Sequence, residues 1–212
     1  GNLFNGSLNN SNTAALTWAN PMFAIQGKKL IDSNTAYRGK LRIGFGSNKT
    51  TELVPSATDP DATVEDVTKV GGTNIVLGAG LEKRVGSTRV VGVYGGEAYI
   101  ALGSSKTTYE YGNAITANNP VSRMTEMKDG STFGFGLGVF GGVEWFCAPK
   151  VSISGEYTWG LMLASTGEGE STTEFWNGTA VESETAKTGK ASSFGLDTGV
   201  SGASLGINFY FQ

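Results

Sequence analysis

Apolar and polar residues alternate with period two along much of the chain, the pattern of strands with two unlike faces. In 133–146 (FGFGLGVFGGVEWF), Phe133, Phe135, Leu137, Val139, Val143 and Trp145 share one face. Gly134, Gly136, Gly138, Phe140, Gly142 and Glu144 share the other. In 151–163, Val151, Ile153, Tyr157, Trp159, Leu161 and Leu163 oppose Ser152, Ser154, Glu156 and Thr158. Near the end, Leu205, Ile207, Phe209 and Phe211 oppose Ser204, Asn208 and Tyr210. The alternation predicts strands near 2–8, 13–26, 36–47, 73–84, 89–104, 132–146, 151–164 and 190–212, eight in all.

The connections are of two kinds. Turns at 31–35, 85–88 and 147–150 are short, whereas 48–72, 105–131 and 165–190 read as long polar loops. Short turns on one side and long loops on the other are the layout of an outer-membrane barrel. An even strand number places both chain ends on the short-turn side. Two irregularities are expected. Pro21 shifts the phase between Trp18 and Phe23. Phe194 and Leu196 are out of phase with Leu205 and Ile207. A one-residue bulge within 199–202 repairs the second, because glycine suits bulges. A hairpin at 200–202 is the alternative, and it breaks the parity.

Composition narrows the class. The 212 residues include 32 glycines and 5 prolines, with 17% charged and 10% aromatic residues. The length suits one domain, 1–212. Mean hydropathy is −0.13. The longest run of glycine and apolar residues, 133–143, is far short of the ~20 residues a spanning helix needs. Net charge is −3 with no large basic block, which argues against a nucleic-acid partner. One cysteine, Cys147, rules out an intrachain disulfide and a cysteine-based metal cluster. No export signal is visible at the start, so an exported chain is expected to be the mature form, with Gly1 near the processing site.

The charged residues decide which face is inside. Arg38, Lys40, Arg42, Glu82, Arg89, Glu97, Glu144 and Glu156 fall on the glycine-rich face, four cations against four carboxylates. A soluble lipocalin-like barrel would bury the large apolar residues and solvate these charges. A membrane barrel inverts this, with charges inside and aliphatics and aromatics facing lipid. Eight strands enclose a space just wide enough for side chains to fill. A balanced charge network fills it well, and the glycines leave room for long Arg and Glu side chains. Trp145, Tyr157, Trp159, Phe209 and Phe211 then form the lipid-facing girdle at the membrane–water interface. The fold expected is a closed antiparallel eight-stranded transmembrane β-barrel.

Four phrases carry a resemblance: AYRGKLRIGFGS (36–47), GAGLEKRVGSTRVVGVYGGEAYI (78–100), FGGVEWFCAPKVSISGEYTWG (140–160) and ASLGINFYF (203–211). With the strands placed, the chain resembles the small outer-membrane β-barrel ("porin-family") proteins of Bacteroidetes-type bacteria. The second and third phrases resemble that family's units of strand, short periplasmic turn and Glu-containing return strand. The last resembles the C-terminal signal read by the barrel-insertion machinery, although Gln212 follows Phe211. The resemblance covers most of 13–212. It implies an integral protein of a Gram-negative outer membrane, with lipid, lipopolysaccharide and other outer-membrane proteins as partners.

Candidate chemistry is sparse. Outer-membrane phospholipase, lipid-A deacylase, omptin and palmitoyl-transferase barrels resemble one another in needing a histidine, and this chain has none. The commonest general base is therefore missing. Glu144 and Glu156 form a carboxylate pair able in principle to do acid–base work. A salt-bridge network with Arg38, Arg42 and Arg89 accounts for them more simply. Asp59, Asp61, Glu65 and Asp66, with Glu168, Glu170, Glu174, Glu182 and Glu184, make the loops acidic without EF-hand spacing. They read as solvated surface, or as sites where divalent cations bridge to lipopolysaccharide phosphates. Phe175 and Trp176 read as a binding tip or as residues folded onto the rim. No cofactor, metal site or catalytic residue is expected. The function expected is a non-enzymatic structural or interaction role, as loop-presenting protein or accessory subunit of a larger assembly. The alternative is a narrow channel for ions or small solutes.

Overall fold

The computed structural model describes residues 25–59, 61–86, 88–197 and 203–211. The described chain is all-β. Its strands are β1 (Ile25–Asp32), β2 (Thr35–Pro55), β3 (Thr63–Val85), β4 (Val90–Glu110), β5 (Arg123–Lys128), β6 (Thr132–Ala148), β7 (Val151–Thr166), β8 (Glu170–Trp176), β9 (Val181–Lys187), β10 (Ala191–Asp197) and β11 (Ala203–Phe209). All belong to one antiparallel sheet of eleven strands. The expected strand at 2–8, nearly all of that at 13–26 and the irregularity at Pro21 lie outside the described residues.

The sheet has two storeys. In the lower one the order runs β1-β2-β3-β4-β6-β7, with β10 and β11 beside β7. In the upper one β4 leaves β6 and pairs with β5 through Lys106–Thr108, and β8 and β9 follow. The eight-stranded count is therefore corrected, because the long polar segments are strands for much of their length. β2, β3 and β4 have 21, 23 and 21 residues, about twice the 9–11 that cross a bilayer. The excess is rich in Thr and Val, which suit a pleated surface. β5, β8 and β9 come from the other two segments. Among the described residues no pairing joins β1 to β10 or β11, so the ladder does not close on itself.

The last strand is split rather than folded back. Asp197 pairs with Gly160 and Ala203 with Tyr157, and both β10 and β11 run antiparallel to β7. The chain thus continues in one direction along β7, which excludes the hairpin. The two registers differ by an odd number of residues, so Phe194, Leu196, Leu205 and Ile207 all come out exposed on the apolar face. The expected bulge residues themselves lie outside the described residues.

Local chemistry fixes the turns. Asn34 N donates to Asp32 Oδ1 at 2.7 Å between β1 and β2. The β8–β9 turn is built on Asn177-Gly178. Asn177 Oδ1 accepts from Thr179 N and Ala180 N, each at 2.8 Å. Gly178 takes φ of 101°, a conformation that costs glycine little.

Candidate functional site

The two faces of the lower storey carry opposite chemistry. Phe133, Phe135, Leu137, Val139, Val143 and Trp145 of β6 are exposed, while Gly134, Gly136, Gly138, Phe140 and Glu144 are buried. The same division runs across the sheet. Tyr37, Leu41, Ile43 and Phe45 on β2, Leu77 and Leu81 on β3, and Ile100 and Leu102 on β4 are all exposed. Phe45 is 83% exposed, whereas Glu82 and Glu144 are 0% exposed.

The buried face gathers four carboxylates and four cations. Arg38 on β2 is central. Its Nη1 lies 3.2 Å from Glu82, its Nε 2.9 Å from Glu97, and its Nη2 2.7 Å from Glu156. The guanidinium also sits 3.9 Å from the centroid of Phe140. Arg84 Nη1 reaches Glu82 at 2.7 Å and Glu144 at 2.9 Å. Lys40 Nζ lies 2.8 Å from Glu97. Lys28 Nζ lies 2.8 Å from Glu82, 3.9 Å from Glu144 and 3.7 Å from Glu156. The Lys28–Glu156 contact joins β1 to β7, so the sheet is rolled around this cluster. Each carboxylate has at least one cation, which offsets the cost of taking charges out of water.

Neutral groups complete the cluster. Tyr210 donates to Glu144 Oε1 at 2.5 Å, Ser152 donates to the same oxygen, and Asn208 Nδ2 approaches it at 3.3 Å. Tyr99 donates to Glu97. Glycines make the space. A Cβ on Gly142 would lie 2.9 Å from Glu156 Cγ and 2.3 Å from the Gly155 carbonyl oxygen. A Cβ on Gly80 would lie 2.6 Å from Glu97 Cγ.

Of the eight charges expected inside, Arg38, Lys40, Glu82, Glu97, Glu144 and Glu156 meet in this cluster. Arg42 is half-buried on the same face of β2. Arg89 is a correction. It has the parity of buried Val91 and Val93, but it precedes the first residue of β4 and is exposed in the turn. There its carbonyl accepts from Phe146 N at 2.7 Å. Lys28 was missed because β1 runs past the expected strand end at 26, and Arg84 was passed over although it lies within the expected strand 73–84. The signal for Arg84 was available: it lies two residues beyond Glu82. On the other face Trp145, Trp159, Phe209 and Phe211 are exposed and Tyr157 is half-buried, its ring 4.6 Å from that of Trp159.

Between β1 and β11 runs a cleft of about 910 Å³, lined by Gln26, Lys28, Ser154, Glu156, Asn208 and Tyr210 among others. It opens onto the charge cluster from the side.

The upper storey has its own polar links. Asn113 accepts from Ala57 N at 2.7 Å and donates to the Pro55 carbonyl at 3.0 Å. Its carbonyl accepts from Arg123 Nη1 at 2.6 Å, and Arg123 Nε reaches Glu174 at 2.7 Å. The Arg123 guanidinium stacks 4.4 Å from the Tyr111 ring. Burial pushes the Tyr111 hydroxyl pKa up, partly countered by that arginine. These contacts tie the β2–β3 tip to β8. Phe175 and Trp176, expected in a loop, are half-buried on β8 opposite Glu182 and Val181. Among the described residues no three His, Cys, Asp or Glu side chains gather as a metal site. Cys147 is free and exposed.

In comparisons with known proteins, the chain matches no family model, and no curated protein and no solved structure shows significant similarity to it.

Proposed function

We propose that this chain is an integral β-barrel protein of a Gram-negative outer membrane, non-enzymatic, with a plugged interior and a stiff sheet held outside the membrane. The observation that carries the reading is the inverted polarity of the lower storey: ion pairs buried on the inner face, aromatic and aliphatic side chains exposed on the outer. In water such an arrangement would forfeit most of the hydrophobic stabilisation. In lipid it is the favourable one. The exposed residues from Phe133 to Trp145 cover roughly 40 Å along the strand, or about 30 Å along the axis of a barrel tilted by ~40°. That matches a bilayer core.

We further propose that the rolled lower storey, seven strands among the described residues with β10 and β11 counted as one, closes as a barrel around the charge cluster. The reach of Lys28 to Glu156 and the facing of β1 and β11 across one cleft support closure, since a spanning sheet leaves no edge in lipid. The balanced cluster leaves little aqueous path, which favours a structural or interaction role over a channel. The protein would anchor in lipid and lipopolysaccharide. It would present the upper sheet to neighbours or pack as an accessory subunit.

Two measurements test this. The purified protein is expected to require detergent and to change gel mobility on heating. In planar bilayers it is expected to give no large, stable conductance steps. Monodisperse behaviour in plain buffer removes the membrane reading. Large stable steps transfer the role to the narrow channel.

A further inference from the structure

Strand β9 ends the upper sheet. β8 pairs along one side of it, and no described strand pairs along the other. All seven of its residues are exposed. Asn177 N donates to the Ala180 carbonyl, and Thr188 N to the Gly169 carbonyl. In an antiparallel ladder such pairs recur at every second residue. Glu182, Glu184 and Ala186 therefore direct N–H and C=O toward β8. Val181, Ser183, Thr185 and Lys187 direct theirs to the open side.

Natural edge strands are commonly blunted by proline, bulges, inward charges, brevity or charged side chains, lysine above all. β9 has no proline, its register with β8 is unbroken over seven pairs, and its one lysine stands at the end. Among the described residues it is a row of backbone groups without strand partners, on an element anchored through β8 and the Arg123–Glu174 pair. Its side chains select the occupant. Glu182 and Glu184 stand two residues apart on one face, with Val181, Ser183 and Thr185 on the other. Strand partners directly opposite one another attract when oppositely charged and repel when alike. A second copy pairing antiparallel about a two-fold axis would bring Glu182 and Glu184 of both copies onto one face. Self-pairing is thus disfavoured, and a segment with cations at alternate positions is favoured.

We propose that β9 is a docking edge for an extended, cationic segment of another protein, which adds as a strand. The segment hydrogen-bonds to Val181, Ser183, Thr185 and Lys187, and its Lys or Arg residues stand against Glu182 and Glu184. Main-chain bonds supply affinity in this mode and alternate side chains supply selectivity. The inference rests on the geometry of the upper sheet and holds whether or not the lower storey spans a membrane.

The probe is a labelled nine-residue peptide with lysine at every second position and threonine or valine between, titrated against the full chain in neutral detergent. Saturable binding is expected. Replacing Glu182 and Glu184 together by Gln should weaken it roughly threefold to tenfold. Ser183→Pro removes an N–H facing the open side and leaves the β8 ladder intact, and should weaken binding at least tenfold. Should that variant misfold, N-methylation of the peptide at alternate nitrogens makes the same test on the ligand and should abolish binding. A glutamate version of the peptide should not bind. Absence of binding up to millimolar peptide overturns the proposal. So does binding that survives both Ser183→Pro and N-methylation, which would mean charge attraction alone. Crosslinking of β9 to a second copy, or peptide binding only after removal of residues 1–24, would give the edge to another occupant and also overturn it.

Discussion

Arg38 holds three carboxylates on three different strands and packs on Phe140. A guanidinium suits this position because its planar fork of donors can satisfy several oxygens at once. Replacing it with Met keeps much of the volume and leaves buried carboxylates short of a cation. The expected cost is about 3–5 kcal/mol, the usual price of an unpaired buried charge. It should be read as a lower urea midpoint in lipid vesicles. Arg89→Met, in the exposed turn, should leave the midpoint within about 0.5 kcal/mol of wild type. Equal losses in the two variants would mean that the cluster does not hold the fold. Glycine makes a second contrast at this scale. A methyl on Gly142 meets the Gly155 backbone at 2.3 Å, whereas one on Gly27 meets nothing within 4 Å among the described residues. Gly142→Ala should cost about 1–3 kcal/mol through forced shifts, and Gly27→Ala should not show this packing loss. Matching midpoints for the two variants would contradict the close packing of β6 on β7.

At the scale of elements, the upper storey changes what a protease should find. The segments 48–72, 105–131 and 165–190 look like mobile loops in sequence, but strands occupy much of them. Cleavage of the folded protein is expected at the connecting tips, near 56–62, 111–122 and 177–180, because exposed tips are the preferred nicking sites. Mass spectrometry of the first fragments locates the cuts. Early cuts inside 47–54 or 181–187 would show that the extension is not a formed sheet. The strands of the lower storey were legible because one face is apolar, so alternation marks them. The upper strands have no apolar face: in 46–54 and 181–187 Thr, Ser, Lys and Glu follow one another, and period two is invisible when both faces are polar. A local signal was nonetheless present for one pair. Asn177-Gly178 between TTEFW and VESET is a strong hairpin mark, and it was submerged in an acidic stretch. The interior charges were legible as far as parity reached. Parity located Glu82, Glu97, Glu144 and Glu156. Parity marks Arg84 as well, two residues beyond Glu82, but it failed for Arg89 and Lys28, because whether a charge is inside depends also on where the strand ends. The continuity of β10 and β11 along β7 could be posed from phase alone, but only the two registers decide it.

For the whole molecule, the distribution of tryptophans separates the membrane reading from its soluble rival. Trp145 and Trp159 are on the exposed face of the lower storey. Trp176 is on β8, in the upper storey. A soluble barrel would leave all three in water or against protein, with no graded relation to lipid. A membrane barrel places Trp145 and Trp159 at or near the interface, where amphipathic indoles collect, and holds Trp176 clear of it. Variants that keep only one tryptophan, with Phe elsewhere, can be refolded into vesicles of brominated phosphatidylcholine, whose bromines quench only indoles in contact with the chains. Strong quenching is expected for the variants keeping Trp145 or Trp159, and little for the one keeping Trp176. Heating a sample that migrates as folded should change gel mobility in all three, because the sheet as a whole rather than any one indole is expected to resist detergent. Quenching of Trp176 alone would turn the molecule over and put the upper sheet in lipid. No quenching of any variant, with the protein recovered from the supernatant, would return the inner charges to the role of a solvated surface and remove the proposal that this chain is a membrane protein.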